Sequence, residues 1–203
     1  MPTEAKLWTS EGPAGSTPLD PSDLHELKLS WVTTLEDLNG AEQACIARAL
    51  MQPKWQAMPV SRLLDDLTLR QLHRVMFSDV WRWAGRYRTT ERNIGIAPER
   101  VAVAVRDLTA DALVWVEGAN PRPLDEAAAA FHHGLVAIYP FPNGNGRHAR
   151  AAADLLLNSL GAAAFTWGGA SLVSPSDARA KYISALQRAD SGDLGPLMEF
   201  VRS

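Results

Sequence analysis

A chain of 203 residues is long enough for one sizeable core and reads most simply as one domain. Its 20 lysines and arginines stand against 23 acids, a formal charge of −3, so no general basic field attracts nucleic acid as a partner. Cys45 is the only cysteine, which excludes an internal disulfide framework and a cysteine-cluster metal site.

Residues 1–22 are rich in Gly, Pro, Ser and Thr and read as an N-terminal arm, with a single helical domain over 23–203. Met1-Pro2-Thr3-Glu4-Ala5-Lys6 lacks the basic region and apolar run of a secretory leader. No stretch reaches the apolar length of a membrane span, so a soluble cytoplasmic protein without a membrane partner is the expectation. Thr33 or Thr34 caps a helix that runs to about Met51, with Glu36 and Asp37 in its first turn, where the helix dipole favours acids. Pro53 ends it. Asp65 or Asp66 starts the next helix, in which Leu69, Leu72, His73 and Met76 repeat at helical spacing.

Trp81-Arg82-Trp83-Ala84-Gly85-Arg86-Tyr87-Arg88 alternates aromatic and basic residues. The pattern suits base stacking, but core tryptophans with surface arginines are the plainer reading in a negatively charged chain. Helices are then expected over about 98–116, over the nearly all-apolar 124–138, over about 175–189 and over 197–202. Ser174-Pro175-Ser176-Asp177 offers a cap and a helix-compatible proline.

The sequence is organised around Tyr139-Pro140-Phe141-Pro142-Asn143-Gly144-Asn145-Gly146-Arg147-His148-Ala149-Arg150. Pro140 and Pro142 end the apolar helix, because proline lacks an N–H and restricts the residue before it. Asn143 to Gly146 tolerate positive φ, and a second helix follows over about 147–160, with Gly161 placed to cap it. Helix, glycine turn and helix bring unpaired amides and a positive dipole end together, which makes an anion site. Arg147 and Arg150 lie three apart, and two guanidinium forks beside such amides suit a di- or triphosphate. A plain helix–turn–helix corner with exposed arginines explains the glycines equally well.

The whole string resembles the signature of the Fic/Doc (Fido) family, His-Pro-Phe-x-(Asp/Glu)-Gly-Asn-Gly-Arg-x-x-Arg. The flanks are similar to the branch called mobile mystery protein B from about residue 17 to the C-terminus. The resemblance implies an all-α Fic-type bundle with a small β-hairpin flap, which Arg92-Asn93-Ile94-Gly95 would form beside the site to hold a target backbone. A plain connecting loop is the alternative there. It also implies transfer of AMP from ATP to a hydroxyl on a protein target, with Mg²⁺, and an antitoxin or regulatory partner as a further candidate. Gly144, Asn145, Gly146, Arg147 and Arg150 would bind the nucleotide. Glycine at 146 favours AMP transfer, since the kinase-like Doc branch carries lysine there.

Two positions depart from the signature. Tyr139 stands where the family has its catalytic histidine, and Asn143 stands where it has a metal-binding acid. An ordinary phenol is roughly one part in a thousand ionised at neutral pH, so its use as a base costs about 4 kcal/mol and slows transfer by roughly 10²–10⁴-fold. Tyr139 is then an inactivating change, natural or engineered, or the working group of a variant chemistry. Asn143 offers Mg²⁺ an amide oxygen without charge. His132, His133 and His148 read as structural or exposed rather than as replacement bases.

Many family members also hold a helix whose glutamate pairs with the second signature arginine and blocks the γ-phosphate. Glu42 is the candidate for that inhibitory acid here, although Leu38-Asn39-Gly40-Ala41-Glu42-Gln43 departs from the pattern (Ser/Thr)-x-x-x-Glu-(Gly/Asn) at both ends. A solvated acid on a helix surface is the plainer reading.

Overall fold

The computed structural model describes residues 24–169, 172 and 176–203, so the expected N-terminal arm lies outside the described residues. Helix α1 spans Leu35–Leu50, α2 Pro53–Gln56, α3 Val60–Leu63, α4 Asp66–Phe77 and α5 Val101–Glu117. Helices α6 (Leu124–Ile138) and α7 (Asn145–Ser159) flank the signature loop, and α8 (Asp177–Asp190) and α9 (Gly195–Val201) close the chain.

Local chemistry starts these helices where the sequence suggests. Thr34 and Asp37 form a reciprocal capping box on α1, and Asp65 accepts from the Thr68 amide at 3.1 Å to open α4. Ser176 opens α8 by accepting from the Arg179 amide at 3.2 Å, while Ser174 and Pro175 lie outside the described residues. Helix α6 occupies residues 124–138, as its apolar run predicts, and buries Ala127, Ala128, Ala129, Phe131, Leu135 and Ile138. It packs against α5, α7, α8 and α9, and α4 joins α1 to α7. Each large apolar side chain taken out of water there contributes about 1.5–3 kcal/mol, so α6 is the axis of one shared core.

The described residues contain no β-strand, only an isolated antiparallel bridge between Leu27 and Trp81. The all-α class therefore holds, but the expected hairpin over 92–95 does not form among the described residues. Residues 89–97 are a bent, irregular segment, held by the end of α6 and by the Arg88 side chain and not across a hairpin. Ile96 N reaches Ile138 O at 3.4 Å, and Arg88 supplies most of the rest. The helices α2 and α3 were not apparent in the sequence, being single turns punctuated by Pro53 and Pro59. No helix among the described residues is long and apolar enough to cross a membrane.

Candidate active site

The turn between α6 and α7 is built by side chains that take up its backbone groups. Tyr139 ends α6 in the left-handed region, with φ 56° and ψ 62°, and its ring is buried. That conformation is uncommon for a residue with a bulky side chain. The Arg88 Nε–H holds it, donating to Tyr139 O at 2.6 Å, while the Arg88 amide donates to Pro140 O at 3.0 Å. The same guanidinium donates to Thr90 O at 3.1 Å and to Ile96 O, so one buried arginine ties residues 90–96 to the signature loop. Burial holds the Arg88 pKa below its ordinary value, with Glu91 opposing the shift. Gly95 has φ +102°, and a Cβ there would stand 2.5 Å from the Tyr139 Cβ, so only glycine passes at this distance.

Asn145 organises the next four residues. Its Oδ1 accepts from the Phe141 amide and its Nδ2 donates to Phe141 O, both at 2.8 Å and both buried. His73 on α4 stacks on the Phe141 ring with centroids 3.7 Å apart. His73 Nδ1 accepts from the Gly85 amide at 3.0 Å, so the ring carries its proton on Nε2 and donates to Asn143 O at 3.1 Å. Burial first, and then the neighbouring His148, push the His73 pKa well below the usual range and keep the ring neutral. Gly144 caps α7 at φ +77°, and a Cβ there would meet the Phe77 ring at 2.5 Å.

The result is an open helix N-terminus. The first intrahelical bond of α7 runs from His148 N to Gly144 O, which leaves the amides of Asn145, Gly146 and Arg147 ahead of it. No side chain caps them. The amide of Gly144, expected to belong to this set, instead donates to Asn143 Oδ1 at 2.6 Å. Asn143 thus turns its only metal-competent oxygen onto the backbone, and it carries no charge. No cluster of three acids, histidines or cysteines suited to a metal occurs among the described residues. These residues do not fit a protein-held Mg²⁺.

The two signature arginines splay apart instead of sharing one side. Arg147 lies over the Phe77 ring at 5.2 Å, and its Nη2 meets Glu42 Oε2 at 2.7 Å. Arg147 Nη1 is buried with no acceptor among the described residues, a donor that an anion at the helix end would satisfy. Arg150 sits over the Tyr182 ring of α8 at 5.7 Å. Glu42 is therefore not a solvated surface acid. It is 3 % exposed, and its Oε1 accepts from Trp81 Nε1 at 2.7 Å. Its partner is the first signature arginine, Arg147, and not the second, because α1 packs on α4 and faces that side of the loop.

The remaining histidines are structural. His148 donates to Leu69 O at 2.9 Å and His132 bonds the Tyr182 hydroxyl at 2.9 Å; burial lowers their pKa values to about 4 and about 3. His133 pairs with Asp190 at 2.8 Å near the surface. Residues that sequence reasoning missed are Arg88, His73 and Trp81. Trp81 and Trp83 are indeed core, stacked with centroids 4.9 Å apart, but Arg88 is as buried as they are.

Residues 63–157 match the Fic/DOC family model, and this chain carries a Fic/DOC family domain over those residues. Over 124 residues it is 35% identical to the protein adenylyltransferase fic-1 of Caenorhabditis elegans, which covers 58% of this chain and 22% of that protein. Over 79 residues it is 39% identical to the protein adenylyltransferase Fic of Drosophila virilis, covering 39% of this chain and 15% of the relative. The chain thus spans less than a quarter of the length of these curated relatives.

Solved structures share the fold. Fic-1 of C. elegans superposes with a TM-score of 0.58 at 24% identity, over 86% of this chain and 50% of that one. The BepC protein of Bartonella tribocorum, solved with bound AMPPNP, gives a TM-score of 0.64 at 16% identity, over 84% and 87% of the two chains.

Proposed function

We propose that this chain is a Fic-type protein adenylyltransferase whose transfer of AMP from ATP to a protein hydroxyl is slowed or silenced by Tyr139. The observation that carries the reading is the open N-terminus of α7, where the free amides of Asn145, Gly146 and Arg147 stand on the same helical turn as the Arg147 and Arg150 side chains. A triphosphate laid across that end meets backbone donors, the positive end of the dipole and two guanidinium groups. The target hydroxyl would attack the α-phosphorus, forming a new O–P bond as pyrophosphate leaves, and the hydroxyl proton must go to a base.

Tyr139 occupies the signature position of the base, and a phenol supplies far less of the basic form at neutral pH than an imidazole does. The homologues named as adenylyltransferases support the class of reaction. No step is assigned to a protein-held metal, since Asn143 is turned away; any Mg²⁺ would arrive with the nucleotide.

A second reading is favoured by the Glu42–Arg147 pair together with Tyr139: a nucleotide-binding module without turnover that acts through a partner. Incubation with α-labelled ATP decides between them, run on this chain and on its Tyr139→His variant, with γ-labelled ATP as the control for kinase activity. Label transferred from the α-position by the histidine variant, and far more slowly by the parent, supports the first reading. ATP binding without transfer by either form supports the second, and no binding at millimolar ATP refutes both.

A further inference from the structure

A cleft of about 470 Å³ lies beside α4, and none of the signature residues lines it. Its walls carry Lys28, Arg74, Arg82 and Arg86 against a single acid, Glu26. The walls are fixed by backbone bonds from Lys28 N to Val80 O at 2.8 Å and from Arg82 N to Glu26 O at 2.9 Å. Only Arg86 is neutralised, by Glu26 at 3.0 Å. Lys28 donates to Ser78 O, and Arg82 to His25 O and Leu27 O, which orients both cations without cancelling their charge. The Arg74 side chain is exposed and forms no ion pair or hydrogen bond with any described residue. Three uncompensated cations thus converge on one concave site in a chain of net charge −3.

We propose that this cleft docks an acidic segment of a partner protein. Oriented but unneutralised cations gathered on one concave surface focus a positive field and capture carboxylates. Nucleic acid fits less well. Trp81 and Trp83 are buried against one another, so no aromatic face is left to stack a base. Glu26 in the wall repels a continuous phosphodiester backbone, whereas a peptide can place an uncharged residue opposite it.

The test uses the full chain and a fluorescein-labelled peptide of alternating glutamate and glycine, followed by anisotropy at low salt. Saturable binding is expected. It should weaken by about tenfold or more in Lys28→Glu/Arg74→Glu and by a smaller factor in Arg74→Glu alone, a change that removes no bond of the fold. Arg62→Glu, at an exposed arginine outside the cleft, should bind as the parent does. Absence of saturable binding, or equal weakening by Arg62→Glu, overturns the proposal. Tighter binding of a single-stranded oligonucleotide of matching charge, lost in the Lys28→Glu/Arg74→Glu variant, overturns it in favour of nucleic acid.

Discussion

Glu42 and Arg147 meet at 2.7 Å, with the carboxylate held under Trp81 and only 4 % of its side chain exposed. The pair sits beside the uncapped N-terminus of α7, so an anion bound there, as proposed above, would compete with Glu42 for the same guanidinium. On that reading the acid would lower nucleotide affinity for as long as it stays in place. Glu42→Gln keeps an acceptor for the Trp81 N–H while removing the charge. Calorimetry should show ATP bound several-fold more tightly, and AMP transfer in a Tyr139→His background should rise with it. Unchanged affinity would leave Glu42 a structural residue and move control of the site to a partner.

Stability should respond in the opposite sense. Arg147→Ala strands a buried carboxylate, and an uncompensated buried charge costs about 3–5 kcal/mol, reduced here because Arg147 is partly exposed. The double variant Arg147→Ala/Glu42→Gln should recover most of that loss in urea unfolding without recovering ATP binding. Additive losses in the two single variants would show that the pair is not coupled.

The loop is clamped by Asn145. Its two 2.8 Å bonds satisfy both backbone groups of Phe141 in a dry environment. Asn145→Ala leaves a buried N–H and a buried C=O without partners and should cost about 2–4 kcal/mol. Asn145→Asp keeps the acceptor and loses the donor, so it should fall between. Thermal melts order the three proteins; an alanine variant as stable as the parent would mean the turn holds its shape without this clamp.

The parts of this site legible in the sequence were those written locally. An apolar run closed by Pro140, a glycine turn and a new helix are signals within two dozen residues, and α6 and α7 follow them closely. What escaped were contacts between distant segments. Arg88 reaches Tyr139 across 51 residues, His73 reaches Asn143 across 70, and Trp81 reaches Glu42 across 39. Arg88 belongs to an alternating Trp–Arg stretch whose pattern suggested exposed arginines. Nothing local distinguishes it from Arg82 or Arg86, which are exposed, because its burial is set by the carbonyls of another helix end. Glu42 was ambiguous for the same reason. One turn of α1 faces either water or α4, and only the packing of the two helices decides which.

Tyr139→His should be tolerated by the fold. Histidine enters the left-handed region more readily than most residues, and the Cβ that Gly95 accommodates is unchanged. The Arg88 bond to residue 139 uses the carbonyl, which every residue retains. The variant should therefore unfold within about 1 kcal/mol of the parent, so any gain in AMP transfer reports chemistry and not refolding. A large loss of stability would mean that the phenol ring itself holds the loop.

Acid should unfold this protein through histidines. His73, His132 and His148 are kept neutral by burial, the latter two down to about 3 and about 4, whereas an unfolded chain protonates all three near pH 6.5. Their contribution to stability is complete above pH 6.5 and is lost as pH falls towards their folded values. Asp154 acts in the opposite sense. Burial raises its pKa to about 6, although Trp167 Nε1 and the Phe165 amide donate to it, so the folded state takes up its proton before the unfolded state does. Near pH 5 the unfolded state thus holds three protons on these histidines, whereas the folded state holds one, on Asp154. Stability should then fall by roughly 3 kcal/mol per pH unit at the steepest point.

Asp154→Asn removes the opposing proton and keeps an acceptor for both donors. Urea titrations should find the variant more stable than the parent at pH 7, by up to about 3 kcal/mol, with the advantage shrinking towards pH 4 and the acid slope steeper by roughly one proton's worth. A variant less stable than the parent at pH 7 would show that the ionised carboxylate's bonds to Trp167 and Phe165 outweigh the cost of burying its charge.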